Sequence, residues 1–462
     1  MRIGSFAAVV AALVFTAACA ERRVYVAPDT APPTLAQATG EGFSAQPYDA
    51  RWWTQFDDPV LVQLQDAALA ANQDVKAAVA RVDQARAVFD DVRRDRYPTV
   101  PVNVSVDRRE QAIPGFVNEP IRTSTYRAAF DATWEIDIFG RVRSAIRAAQ
   151  ANAESLDASL EDIKVIVTAE VAREYFDLRG VQQQLAVAER SLANQRETLR
   201  LTQVRRTNGI GEEQDVASAA ARVAAIEASI PPLRARVATS IHRLAVLNGV
   251  RPADLAVNLA PRPYPVLAKE LPLGDVGQLL RRRPDVRVAE RRLAAAAARE
   301  GVAAAELYPR VTISGVLGLL AGRGSVFGTS DSRAWAVTPA LSWAGFDLGS
   351  ARARLRGAEA ASRESLATYE QAVLLAIEET ENALVAYREE QARLVKLGDQ
   401  ARESERAANI ARIRFREGLS DFLTLLDAER TQLAAQDAVA RAEADVFIRV
   451  VALYKSLGGV TI

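Results

Sequence analysis

The chain has 462 residues, with 58 basic and 58 acidic side chains and no formal net charge. That balance excludes a nucleic-acid or polyanion binder driven by bulk charge, so no nucleic-acid partner is expected. One Cys, one Met and one His rule out an intrachain disulfide and a His/Cys metal cluster, and no cofactor is expected.

Residues 1–18 read as a secretory signal: Arg2, then the apolar run Phe6–Phe15, then small residues. The run falls short of the ~20 residues a spanning helix needs, and no later segment holds ~18 uninterrupted apolar residues, so no transmembrane helix is expected. Cys19 follows directly. The stretch resembles a bacterial lipoprotein box, with Thr16 where Leu is usual. The resemblance makes Cys19 the lipidated first residue of the mature chain, and Ala20 behind it favours sorting to the outer membrane. Residues 19–57, carrying Pro28, Pro32, Pro33 and Pro47, read as a lipid-anchored, extended tether.

Residues 58–250 form a first unit. A helix is expected from about Val60 to Arg96. Val100, Val102, Val104 and Val106 then alternate with Thr99, Pro101, Asn103 and Ser105, which predicts a strand over about 99–107 with one apolar and one polar face. A polar stretch with Pro114, Gly115 and Pro120 links it to a second strand, about 125–138. There Tyr126, Phe130, Trp134 and Ile136 point one way and Arg127, Asp131, Thr133, Glu135 and Asp137 the other. From Gly140 the period changes. Val142, Ile146, Ala149, Ala153, Leu156, Leu160, Ile163 and Val167 mark a heptad seam in a helix over about 140–206, roughly 100 Å long at 1.5 Å per residue. Thr207–Glu213 breaks it. A return helix runs to Leu247, with Pro231-Pro232 expected to kink or restart it. "LNGVRP" ends the unit with a glycine stop and a proline beyond.

After a proline-rich linker, 251–273, the plan repeats over 274–462. Trp134 matches Trp343, Gly140 matches Gly349 and Gly209 matches Gly418, each at an offset of 209, while Tyr97-Pro98 matches Tyr308-Pro309 at 211. Strands are expected at about 310–320 and 333–344 and a long helix at about 349–416. Matches at a near-constant offset mark an internal duplication. Two short helices end to end match one long one. Four strands cannot close a barrel, and closure is how membrane strands satisfy their backbone groups. Strands of about ten residues with one apolar face suit a membrane barrel with a wet lumen, completed by identical copies. Geometry leaves two, three or four copies open.

The motifs "WEIDIFGRVR", "LNGVRP", "LLRRRPDVRVAE", "LYPRV" and "RFREGLSDFLTLLDAER" resemble those of TolC-type outer membrane factors, of the NodT/OprM-like lipoprotein branch, over essentially the whole mature chain. The resemblance implies a mainly α fold with a transmembrane β-barrel: a homotrimer with a twelve-stranded barrel in outer-membrane lipid and an α-barrel crossing the periplasm. It implies an exit duct serving a periplasmic adaptor and an inner-membrane pump, usually proton-driven and of RND type.

Leu423, Asp427 and Arg430, spaced 4 and 3, share one helix face. The resemblance makes them the periplasmic gate; read alone, they are a helix surface with an ordinary Asp–Arg pair. The turns Gly209-Ile210 and Gly418-Leu419-Ser420 become the adaptor-docking tips by the same resemblance. Trp134, Trp335 and Trp343 are candidate interface aromatics of the barrel. "LLRRRPD" reads as the solvated end of a helix. No nucleophile stands beside the single His242, and no phosphate-binding loop appears, so an enzyme is not expected. The rival reading is a lipid-anchored periplasmic coiled-coil scaffold without a pore, against which the alternating strands speak.

Overall fold

The computed structural model describes residues 51–113, 117–267, 270–275, 282–345 and 347–459, with isolated positions between 25 and 46. The signal segment and Cys19 lie outside them. In chain order the elements are β1 (Phe43–Ser44), α1 (Pro59–Ala71), α2 (Gln73–Arg94), β2 (Val102–Ile113), β3 (Val117–Ile136), α3 (Arg141–Thr207), α4 (Glu213–Leu247), β4 (Leu271–Pro272), α5 (Pro284–Ala305), β5 (Arg310–Ala321), β6 (Arg333–Ser342), α6 (Leu348–Arg416) and α7 (Phe422–Ser456).

The chain divides into two compact units, and one of them, residues 81–157 with 288–370, holds β2, β3, β5 and β6. They form one antiparallel sheet in the order β2-β3-β5-β6. Directly opposed residues share a face. The pairings Val102↔Phe130, Phe130↔Leu317 and Leu317↔Trp335 therefore put a valine, two large apolar side chains and a tryptophan in one row. Val104, Val106, Tyr126, Trp134, Ile136, Val311, Ile313, Leu319, Val337 and Leu341 lie on that same apolar face. The other face carries Asn103, Ser105, Arg127, Asp131, Thr133, Glu135, Thr312, Ser314 and Thr338. On it Asn103 donates to Asp131 at 2.7 Å, and Arg127 pairs with the same carboxylate.

The strands run further than periodicity predicts. β2 continues to Ile113 and β3 begins at Val117, so much of the stretch expected as a polar link is strand. Its residues Arg108, Glu110 and Arg122 break the apolar alternation, which hid the strand. Cross-strand bonding still suits them: Arg122 donates to Glu110 at 2.8 Å.

The second unit, residues 30–80, 158–287 and 371–462, holds a dense aromatic core. Here the tether reading needs correction at its end. Trp52–Phe56 is a short 3-10 turn in which Trp52, Trp53 and Phe56 are buried. Trp52 stacks on Tyr454 with centroids 5.6 Å apart, and Phe56 meets the edge of Phe176 at 5.0 Å. Proline content announced a loop, but three large rings supply apolar area that fixes it as an anchor. Upstream, Ala36 and Gln37 donate their backbone N–H groups to the two oxygens of Glu381 at 2.6 and 3.1 Å. Phe43–Ser44 pairs in parallel with Leu271–Pro272.

The single helix expected over Val60–Arg96 is two. Asn72 separates α1 from α2, its Oδ1 accepting from Asp74 and Val75 N–H at 2.9 and 3.2 Å. It acts as an N-cap, which mid-helix asparagines seldom reveal by spacing. Pro231 and Pro232 lie inside α4 without ending it. Both are exposed, so the carbonyls they leave unpaired face water.

Candidate functional site

The two turns at the far ends of the long helices are built alike. In the α3–α4 turn Gly209 N–H donates to Arg206 O at 3.0 Å and Ile210 N–H to Arg205 O at 3.0 Å. In the α6–α7 turn Gly418 donates to Phe415 O at 3.1 Å and Leu419 to Arg414 O at 2.8 Å. These paired bonds close each helix as a Schellman cap, which needs a left-handed residue. Gly209 and Gly418 supply it at φ +74° and +75°, and nothing lies within 4 Å of where a Cβ would sit on either. Ile210 and Leu419 stand out at 66% and 68% exposure. Arg205 joins the two turns: its Nη1 donates to Phe415 O at 2.9 Å, and its guanidinium lies over the Phe415 ring.

Asp421 caps α7, accepting from Thr424 N–H at 2.7 Å, and this bonding with Thr424 holds its carboxyl below the usual range. Along α7, Phe422, Leu425 and Glu429 point inward, while Leu423, Asp427 and Arg430 are turned away from that buried side. The three predicted gate residues thus share the outward face. They form no ion pair in the single chain: among the described residues, neither the Asp427 carboxylate nor the Arg430 guanidinium has a hydrogen-bond partner. Arg430 instead lies near Arg222 of α4, whose guanidinium is pushed down by burial and then by Arg430. The Arg222 Nε is buried without a protein partner. The inward Glu429 is the satisfied carboxylate, taking Gln195 Nε2 at 2.5 Å and Arg412 Nη2 at 3.0 Å. A groove of about 510 Å³ between α6 and α7 is lined by Ile410, Arg414, Ser420, Thr424 and Asp427, among others.

At the strands, Trp134 and Trp343 perform the same act in each repeat. The Trp134 indole donates to Arg96 O and that of Trp343 to Leu307 O, both at 3.0 Å, pinning each strand's end to the chain beyond the preceding helix. Trp335 is the repeat counterpart of Tyr126 and is 78% exposed. Tyr126 to Trp134, and Trp335 to Trp343, each span eight residues. At ~3.4 Å per residue and a tilt of about 40°, the two aromatic levels stand ~20 Å apart, close to the height of an outer-membrane apolar band.

Comparison with known proteins decides what this architecture serves. The sequence model for "Outer membrane efflux protein" matches residues 64–250 and 276–459, which are the two repeats. The chain belongs to the outer membrane efflux protein family. It is 32% identical over 448 residues to the pyoverdine export outer membrane protein OpmQ of Pseudomonas putida, covering 93% of each chain. It is 30% identical over 408 residues to the solvent efflux pump outer membrane protein SrpC of the same species, covering 87% of this chain and 86% of SrpC. Its structure superposes on the outer-membrane channel OprN with a TM-score of 0.93 at 47% identity, covering 96% of this chain and 99% of OprN. This efflux protein is therefore an outer-membrane channel component of a tripartite efflux system, extending into the periplasm. Its relatives are conduits, not enzymes.

Sequence reasoning missed one residue of the efflux protein. Arg283, in the "LLRRRPD" stretch read as a solvated helix end, is 5% exposed. It donates to Ser456 O at 2.6 Å, to Ala376 O at 3.3 Å, and to Asp285 and Glu379 at 2.7 Å. Its repeat counterpart at the 211 offset is Asn72, which donates to Leu247 O at 2.8 Å, and Leu247 is the 209 counterpart of Ser456. Both side chains tie the start of a helix to the last turn of a return helix. The duplication offset was the signal that could have found it.

Proposed function

We propose that three copies close a twelve-stranded cylinder in the outer membrane and passively conduct small molecules outward. The cargo would reach it from an inner-membrane pump, of RND type, through a periplasmic adaptor. The observation that carries this reading is the four-stranded sheet itself: β2 and β6 are its two unpaired edges, and one face is apolar over Val102–Val106, Tyr126–Ile136, Val311–Leu319 and Trp335–Leu341. An open sheet with an exposed apolar face is unstable in lipid unless its edges are paired. The poreless-scaffold reading has no use for that face. The names of the relatives differ in cargo, solvent for SrpC and pyoverdine for OpmQ, so the shared property is the conduit and not its substrate.

The gate belongs to the same proposal. On a threefold axis Leu423 would recur as an apolar ring and Asp427 with Arg430 as a charged ring. The proximity of Arg430 and Arg222 supports a bond to a carboxylate from a neighbouring copy. Adaptor docking is assigned to Gly209-Ile210 and Gly418-Leu419-Ser420, where the open space at both glycines and the protruding aliphatic side chains admit a partner helix. Lipidation of Cys19 completes the proposal as a membrane anchor. The test is single-channel recording in planar bilayers. Wild type should conduct in small steps, and Asp427→Ala with Arg430→Ala should conduct severalfold more. Equal conductance would remove the gate, and no conductance from either protein would remove the duct.

A further inference from the structure

The two hairpins share one register. Moving β2 residues by 211 positions and β3 residues by 209, the offsets of Tyr97/Tyr308 and Trp134/Trp343, carries the pair Val106↔Tyr126 onto Leu317↔Trp335. The next pair toward the hairpin turn is Arg108↔Ser124 in β2–β3 and Leu319↔Arg333 in β5–β6, related by the same offsets. Each hairpin therefore sets one arginine on the apolar face, a single step beyond its upper aromatic, Tyr126 or Trp335. Two residues at ~3.4 Å each and a tilt of about 40° put that step ~5 Å beyond the aromatic level.

Both arginines are exposed, and neither makes an ion pair among the described residues. The charges around them are cancelled. Arg122 meets Glu110 at 2.8 Å on the same face, and Arg109 meets Asp107 at 2.8 Å on the opposite one. Arg108 offers only its Nη2 to the Tyr126 hydroxyl, at 3.5 Å, which leaves most of its donors open. An uncompensated guanidinium among lipid-facing side chains is costly at mid-bilayer and tolerated at headgroup level. Its planar fork matches a phosphate with two parallel bonds. Beside Arg333 the same face is dented. Ala128 stands between Val104 and Leu319 in its row, and the notch it leaves, about 440 Å³, is walled by Phe130, Leu317, Leu319 and Trp335 with Arg333 at the rim.

We propose that this notch and its arginine rim bind a phosphorylated, acylated lipid of the outer leaflet. An acyl chain lies against Ala128 and the headgroup phosphate takes Arg333, while Arg108 holds a phosphate at the same height on the other hairpin. The arginines lie at the turn end of the strands, opposite the ends that lead into the helices, which selects the outer leaflet. The inference rests on the outer-membrane barrel proposed above.

Native mass spectrometry of the purified complex tests the site, with lipid A as the phosphorylated probe and phosphatidylcholine as the zwitterionic control. Wild-type trimers should hold lipid A at least tenfold more tightly than phosphatidylcholine. Arg108→Ala with Arg333→Ala should abolish that preference. Ala128→Phe should weaken lipid A severalfold with both charges in place. Arg109→Ala, which removes a cation from the opposite face, should leave binding unchanged. The same spectra report assembly. Trimers that hold both lipids alike, or either rim or notch variant binding lipid A as wild type does, would overturn the site and leave the barrel standing. A monomeric wild type would overturn the barrel as well.

Discussion

At the residue scale, two glycines with nearly the same backbone carry different loads. Gly249, at φ +69°, lies where a Cβ would come 2.2 Å from Ala71 O, because the turn after α4 packs against the break between α1 and α2. Gly209 has φ +74° and open space around it. Gly249→Ala should therefore combine left-handed strain with a backbone clash and cost roughly 2–4 kcal/mol. Gly209→Ala should cost about 1 kcal/mol, from strain alone. Thermal unfolding of the two variants in parallel checks this, and equal shifts would mean that the close approach relaxes freely. The Asn72 and Arg283 contacts belong to the same joint, seen once in each repeat.

At the element scale, the α3 segment near that joint carries a half-buried carboxyl. Asp162 is pushed up from its ordinary value by burial and then by Asp285, with Arg283 and Lys455 pulling the other way. A raised acid takes up a proton on folding between the unfolded value, about 4, and its higher folded value. Stability should fall as pH rises through that window. Asp162→Asn should flatten this part of the pH–stability profile and raise stability at neutral pH, measured by thermal unfolding across pH 4–8. A profile that keeps its slope would assign the effect to another group. At the α6–α7 turn, the proposed docking tip, Gly418→Trp fills the open space beside the glycine and strains the cap. Efflux in cells should be lost while trimers persist on native gels, and a variant that still pumps would remove the docking role. Hydrophobic periodicity alone makes the long helices and the apolar faces of Val102–Val106 and Tyr126–Ile136 legible in the sequence. It does not reveal that the charged residues Arg108, Glu110 and Arg122 lie in strands, since cross-strand ion pairs erase the alternation. Nor does it reveal that Asn72 divides a helix, since an asparagine that caps Asp74 and Val75 looks no different by spacing, or that Arg283 is buried, which depends on contacts more than 90 residues away along the chain.

At the scale of the whole molecule, the duplicated unit explains why a chain with no membrane-spanning helix among its described residues works in a membrane. One repeat supplies a hairpin with an apolar face and a long helical pair, and the second supplies the same again in identical register. The sheet still has two edges, so the account stands on copies of the chain completing it. The most direct test is the mass of the complex extracted from the outer membrane in mild detergent, measured by native mass spectrometry. Three 50.0 kDa chains per particle, less any cleaved signal, are predicted. A stable, folded monomer under the same conditions would contradict the account.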